Sequence, residues 1–259
     1  MSLGAARARW TVLGAGTASP HPLRSPSGHL LQTPAGAQVL VDLGAGTLWR
    51  LARAGVPWTS LDAIFVTHRH LDHTLDLQSL MFAARIPGHG RTAPLPIYMG
   101  PGMTDFVGRL RRALDPWMEP RGFEAAWTEL APKATVELAD VRAHGVRVQH
   151  DATSLAYRFE VDGRVVAYSG DSDWCEGLVE VCHNADLAVL ECSTSQRDKV
   201  AGHLSPKEVA RVAREAGLAR VVLVHTYPSL DGVDLASEVR ACGYDGALWV
   251  AQDGDGFEV

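Results

Sequence analysis

The heptapeptide Thr67-His68-Arg69-His70-Leu71-Asp72-His73 puts three imidazoles and a carboxylate within six residues, His68 to His73. An apolar run, Ala63-Ile64-Phe65-Val66, precedes it and reads as a short buried β-strand. Thr74 to Phe82 follows, and the apolar residues at 75, 77, 80–82 and 84 predict a largely buried helix. The cluster therefore sits where a strand ends and turns into a helix. In α/β sheets that is where ligands and chemistry collect. Histidine nitrogen and aspartate oxygen are the donors a borderline cation such as zinc takes. A merely polar, His-rich loop would not need that placement.

The rest of the chain supplies strand ends of the same kind. Val141 to Gln149 reads as a strand, with Val146, Val148 and His150 on one parity, so His150 stands where it runs out. Leu155 to Val161 and Arg164 to Tyr168 form a hairpin through Asp162-Gly163, a type I′ turn signal, and the return strand leads into Ser169-Gly170-Asp171. Asp186 to Leu190 is a buried strand closed by Glu191, and Arg220 to Val224 is another closed by His225. Asp173 to Asn184 is expected to be helical, as is Leu235 to Ala241. In Gly202-His203-Leu204-Ser205-Pro206-Lys207-Glu208, Ser205 is the N-cap, Pro206 opens the helix and Glu208 completes a capping box. His203 thus stands just before a helix start. A lone histidine at a strand end is ordinarily a satisfied polar residue; His68 and His70, His150, Asp171 and His225 at four such ends point to one shared centre.

Other stretches leave two readings open. Asp42 closes the apolar strand Gln38 to Val41; it either orients a metal-bound imidazole or caps the helix beginning near Thr47. The loop Gly14-Ala15-Gly16-Thr17 allows a phosphate cradle but lacks P-loop spacing, so a turn beside the site is expected. Residues 85–121 hold Arg85, Arg91, Arg109, Arg111, Arg112 and Arg121, either a footing for an extended anion or a solvated helix face.

Composition bounds the class. The 259 residues allow one large α/β domain or two smaller ones, and 46% hydrophobic with 21% charged residues is ordinary globular material. A net charge of −6 argues against coating nucleic acid through overall charge. Cys175, Cys182, Cys192 and Cys242 form no CxxC pair and read as reduced core thiols, with a minor ligand role open. Met1 to Arg9 has no long apolar core, so neither a signal peptide nor a membrane span is expected, and a cytoplasmic location is.

His68-Arg69-His70-Leu71-Asp72-His73 resembles the HxHxDH signature of the metallo-β-lactamase superfamily, and His150, Ser169-Gly170-Asp171 and His225 follow in that family's order. Within it, Leu13-Gly14-Ala15-Gly16-Thr17, Val41-Asp42-Leu43-Gly44-Ala45-Gly46-Thr47, Gly90-Arg91 with Pro94 to Pro101, and Gly202-His203 are similar to the ribonuclease Z-like branch. The resemblance implies one domain over residues 1–259, a four-layer αβ/βα sandwich of two mixed β-sheets flanked by helices. It implies one cation on His68, His70 and His150, a second on Asp72, His73 and His225, and Asp171 bridging them. Two divalent ions about 3.5–4 Å apart, zinc by default and manganese or iron otherwise, activate water and clamp a phosphodiester. Asp72, His203 and Glu191 carry the catalytic assignments: His203 as acid or charge stabiliser, Glu191 holding its imidazole. The resemblance further implies a homodimer; no membrane association and no stable DNA binding are expected from the composition.

Ribonuclease Z proper carries a long arm that grips transfer RNA, in many members placed between the third-motif His and the bridging Asp. Here only 151–170 lies between them, room for one hairpin. The expected substrate is accordingly a small phosphodiester, such as a cyclic nucleotide or short oligonucleotide, or an RNA 3′ end. The rivals are a carboxylic ester, thioester or lactone hydrolase, and a true transfer-RNA 3′-processing endoribonuclease.

Overall fold

The computed structural model describes residues 7–259, so the reading of the Met1–Arg9 leader lies largely outside the described residues. Two sheets of seven strands each are built from the two halves of the chain, except that the last strand crosses back to the edge of the first sheet. The first half gives β1 (Arg9–Gly14), β2 (Gly28–Gln32), β3 (Gln38–Leu43), α1 (Thr47–Arg53), β4 (Ala63–Val66), α2 (Leu71–Ala83), β5 (Leu95–Met99), α3 (Met103–Ala113) and β6 (Ala125–Glu129). The second gives β7 (Thr135–Leu138), β8 (Val141–Arg147), β9 (Leu155–Val161), β10 (Arg164–Tyr168), α4 (Glu176–Cys182), β11 (Leu187–Glu191), α5 (Pro206–Glu215), β12 (Arg220–Val224), α6 (Leu235–Ala241), β13 (Ala247–Val250) and β14 (Gly256–Glu258). The sheet orders are β14-β1-β2-β3-β4-β5-β6 and β13-β12-β11-β10-β9-β8-β7. In each, hairpin-linked antiparallel strands give way to parallel ones: β3 through β6, and β10 through β13.

Strand periodicity explains the layers. In β4, Ala63 and Phe65 face the opposite sheet, while Ile64 and Val66 face the helices. In β11, Leu187 and Val189 face inward, Ala188 and Leu190 outward. Strands apolar on both faces must be covered on both. The central layer is where the sheets meet, and Phe65 lies 5.2 Å from both Tyr157 and Phe159 by ring centroid. One outer layer seats α1–α3, the other α4–α6, giving the expected αβ/βα sandwich. The sheets are also pinned beside the HxHxDH turn, where Tyr157 Oη donates to the Val66 carbonyl and Leu155 N–H to that of Thr67.

Several boundaries differ from the sequence reading, three of them for reasons of long-range pairing. The helix expected from Asp173 begins at Glu176, because Asp173 is held extended: its N–H donates to Gln149 O and its carboxylate binds Lys199 and Gly202. The same pairing ends β8 at Arg147 rather than Gln149. The strand expected from Phe123 begins at Ala125, in register with Leu95. Asp162 and Gly163 both adopt positive φ, as the hairpin signal requires.

The arginines of 85–121 are mostly tied into the fold. Arg85 donates to the carbonyls of Pro116 and Glu119, Arg91 to those of Thr59, Leu61, Ala93 and Pro94, and Arg109 and Arg111 pair with Asp105 and Glu119. Among the described residues no helix is long and apolar enough to cross a membrane.

Candidate metal centre

Every residue named for the centre comes from a strand end on one edge of the sandwich. His68 and His70 lie on the turn after β4, Asp72 and His73 in the first turn of α2. His150 follows β8, Asp171 follows β10 and His225 follows β12. Their donor atoms form two groups that share Asp171: His68, His70, His150 and Asp171, and Asp72, His73, Asp171 and His225. Within each group the atoms lie within 4.8 Å of one another.

The hydrogen bonds around these rings determine which nitrogen faces the centre. His73 Nδ1 is 2.7 Å from Asp42 Oδ2, and His150 Nδ1 is 2.8 Å from the Gly202 carbonyl. Both partners only accept, so each Nδ1 carries the proton. Thr67 Oγ1 gives its hydrogen to Asp42 and therefore accepts from His68 Nδ1 at 3.0 Å. Ser193 Oγ gives its hydrogen to Glu191 and accepts from His225 Nδ1 at 2.9 Å. Four imidazoles thus present a bare Nε2 lone pair inward, facing two carboxylates.

Those lone pairs crowd together: His73 Nε2 is 3.4 Å from His225 Nε2, and His150 Nε2 is 3.1 Å from His70 Nδ1, whose tautomer no other hydrogen bond fixes. Asp171 Oδ2 is 3.7 Å from both His68 Nε2 and His150 Nε2; its Oδ1 is 3.2 Å from His73 Nε2 and 3.3 Å from His225 Nε2. His68 Nε2 and Asp171 Oδ1 are buried without a hydrogen-bond partner. Facing lone pairs this close are costly unless something positive lies between them. A tetrahedral shell with bonds of about 2.0–2.1 Å spaces its donors about 3.3–3.4 Å apart, and the separations here, 3.1–3.7 Å, bracket that value. The residues fit two divalent cations.

The electrostatics agree for the carboxylates and His68. His73 differs: its burial is outweighed by Asp171 and Asp42, which raise it well above the usual imidazole value, so it must release its Nε2 proton to take a cation. Burial favours a protonated Asp171, but the surrounding imidazoles outweigh it and hold the carboxyl well below its ordinary range. Asp72 behaves likewise: burial is outweighed by His225 and His73, and its pKa falls to about 2. Burial and the neighbouring His73 push His68 well below the usual imidazole value, keeping it neutral and able to ligate.

Asp42 resolves in favour of the imidazole. Its fully buried carboxylate accepts from Thr67 N–H and Oγ1, from His73 Nδ1 and from Tyr168 Oη. The N-terminus of α1 uses Asp76 instead, which accepts from Leu48 N–H at 2.9 Å. Asp42 and His225 both hold positive φ, 59° and 56°, a strained state for residues other than glycine that marks sites where position matters more than comfort. Asp42→Asn should weaken metal affinity roughly 10–100-fold, because a neutral amide with one accepting oxygen cannot serve both Thr67 N–H and His73 Nδ1. Competition against a chromophoric chelator would read this, and unchanged affinity would remove Asp42 from the centre.

Beside the centre stands a second constellation. His203 Nδ1 lies 3.0 Å from Oε1 of the fully buried Glu191, whose oxygens also accept from Ser172 N–H and Ser193 Oγ. Burial lowers the His203 pKa, but the Glu191 hydrogen bond and charge more than reverse that, raising it to about 9. The His203 and His225 rings stack 5.7 Å apart. Glu191, His203 and His225 also lie close enough to share an ion, but the Glu191–His203 hydrogen bond already occupies those donors. Gly202 explains the Gly-His dipeptide: at φ +88° its carbonyl seats His150, and a Cβ there would meet His150 Nδ1 at 3.2 Å.

Three contributors carried no signal strong enough to single them out in the sequence. Ser193 links Glu191, His203 and His225; Asp173 anchors Lys199 and Gly202; Tyr168 braces Asp42. The Gly14–Thr17 loop is a turn beside the site, with Ala15 O accepting from Thr226 N–H. Cys182 and Cys192 are buried with their thiols pushed up by burial, Cys182 to about 12, and the described donor groups include no cysteine.

Residues 37–226 match the model of the β-lactamase superfamily domain. Ribonuclease Z of Streptomyces coelicolor is 30% identical, over 93% of this chain and 94% of that protein. The metallo-β-lactamase fold protein YhfI of Bacillus subtilis superposes with a TM-score of 0.83 at 25% identity, covering 98% of this chain and all 100% of that one. Human tRNase Z, short form, superposes with a TM-score of 0.78 at 23% identity, covering 97% and 99%. With its two donor sets at one sandwich edge, the chain belongs to the metallo-β-lactamase superfamily, in the ribonuclease Z-like branch, and is a metal-dependent hydrolase.

Proposed function

We propose that the protein is a phosphodiesterase acting on a small phosphodiester, a cyclic nucleotide, a short oligonucleotide or an RNA 3′ end. One observation carries this reading: a buried Glu191–His203 pair, rich in protons, stands against donor sets for two cations. The relationship to ribonuclease Z supports it.

His68, His70, His150 and Asp171 would hold one ion, and Asp72, His73, His225 and Asp171 the other. When bound, the ions lower the pKa of water and offset the charge on a phosphoryl group. The chain's own part is positional. Asp42, Thr67, Ser193 and the Gly202 carbonyl fix the four imidazoles through Nδ1. His70 is exposed, which opens the centre to substrate on that side. His203, held charged by Glu191, donates its Nε2 proton to the departing oxygen or stabilises a non-bridging one. Zinc is the ion best matched to this nitrogen-rich set, with manganese or iron as alternatives.

Bis-p-nitrophenyl phosphate, cyclic nucleotides, a transfer-RNA precursor and a p-nitrophenyl carboxylic ester should be assayed side by side. Turnover of the small phosphodiesters is expected to exceed that of the ester by at least about tenfold in kcat/KM, the factor from one well-placed interaction. Faster turnover of the ester would overturn the reading. Efficient precursor cleavage would instead favour a transfer-RNA nuclease, against the short β9–β10 hairpin, which leaves no arm at that position.

A further inference from the structure

Next to His203 lies a cavity of about 360 Å³ lined by Thr194, Asp198, Val200, His203, Tyr227 and Ser229. That is the low end of the size range of ligand pockets, about 300–1,000 Å³. It suits one bulky organic group rather than a folded polymer. Its walls are of three kinds. Val200, 51% exposed, and the half-buried Tyr227 form an apolar side, with the Tyr227 ring perpendicular to those of His203 and His225 at 6.4 and 6.1 Å. Thr194 is 7% exposed, and its hydroxyl is buried with no hydrogen-bond partner. Asp198, exposed at the rim, accepts from Ser195 through Oδ2, and among the described residues nothing pairs with its Oδ1.

The charge is what narrows the ligand. Among the described residues no lysine or arginine lines the cavity. The neighbouring Lys199 is committed to Asp173 at 2.8 Å and to the His203 carbonyl. A strand of nucleic acid tracked through its phosphates needs cations at each step. Here the wall offers one cation, the His203 imidazolium that serves the reacting phosphate, and one carboxylate, Asp198, which repels a second phosphate and accepts from amino or hydroxyl donors. An aromatic ring, an apolar flank, hydroxyls and one acceptor are what a nucleoside uses: stacking for the base, hydrogen bonds for its edge or sugar.

We propose that this cavity is the subsite for the nucleoside arm of a phosphodiester carrying a single phosphate, with the base against Tyr227 and Val200. It rests on the phosphodiesterase reading, because His203 is shared between the cavity and the centre. The unpartnered Thr194 hydroxyl then has a purpose: replacing it by a methyl group removes a buried polar atom that the protein itself does not use, so folding stability should hold or rise while ligand binding falls.

The test is calorimetric titration of the zinc-loaded protein with adenosine, which has no phosphate to reach the metals, and with an adenosine pentanucleotide. Wild type should bind adenosine at millimolar concentration or tighter. Tyr227→Leu, which keeps apolar bulk but not the stacking face, should weaken it roughly tenfold or more, and Thr194→Val severalfold with an unchanged melting temperature. The pentanucleotide should bind no tighter than adenosine, and Asp198→Lys should reverse that order. Absence of adenosine binding, equal binding by the Tyr227 and Thr194 variants, or tighter pentanucleotide binding by wild type would overturn the proposal. Bis-p-nitrophenyl phosphate turnover in parallel separates the two readings. Turnover without adenosine binding removes the subsite alone; adenosine binding through Tyr227 with no phosphodiester turnover removes the reaction and leaves the subsite.

Discussion

Asp171→Ala should lose both cations and lower turnover by at least about 10³-fold, because the two donor sets meet only in this carboxylate. Without it the first set is three imidazoles with no charge to balance a dication. The second keeps Asp72 but loses the oxygen that lies 3.2–3.3 Å from His73 and His225. Elemental analysis after dialysis would read the loss directly. A second consequence concerns stability. In metal-free protein the surrounding imidazoles hold Asp171 ionised in spite of its burial, so above the ordinary carboxylate range the fold gains from that charge. Metal-free Asp171→Ala should therefore melt below metal-free wild type near neutral pH. Wild type loaded with metal should melt above both, since a ligand that binds only the folded state stabilises it. Retention of a full complement of metal by the variant would show that Asp171 does not bridge.

The sequence carried the fold where local pattern and layer agreed. Ala63–Val66 and Leu187–Glu191 are apolar on both parities, so they had to be covered on both faces, and they are. Ser205, Pro206 and Glu208 announce α5 by capping chemistry alone. The donor set was legible because each ligand closes a strand, and strand ends on one edge converge. What local pattern could not show was pairing at long range. Asp173 looked like the start of a helix; Lys199, Gly202 and Gln149 hold it extended instead, and those partners lie far from it in sequence. Asp42 was ambiguous between cap and imidazole partner because both need a carboxylate at a strand end. Only the placement of His73 and Tyr168 decided it. Ser193 gave no signal, since a serine two residues beyond a buried glutamate is unremarkable until His225 and His203 arrive from other elements.

His203→Ala should lower kcat roughly 10²–10⁴-fold, the usual worth of a positioned acid, while metal content stays at the wild-type level. The distinction follows from the hydrogen bonds. The imidazole belongs to neither four-residue donor set, and its Nδ1 is engaged by Glu191, so removing it takes no donor from either ion. Glu191→Gln tests the other half of the pair without touching the acid. The carboxylate keeps His203 protonated up to about pH 9, against the effect of burial. Its loss lowers that pKa, so the protonated fraction, and kcat with it, should decline at lower pH in the variant than in wild type. The linkage to folding has the same sign: a raised imidazole pKa contributes stability that is full below its ordinary value near 6.5 and is lost as pH rises through about 9. A structural role for Glu191 alone would lower activity uniformly and leave the basic limb in place. A fall in bound metal on His203→Ala, measured alongside the rate, would make His203 a ligand and move the acid elsewhere.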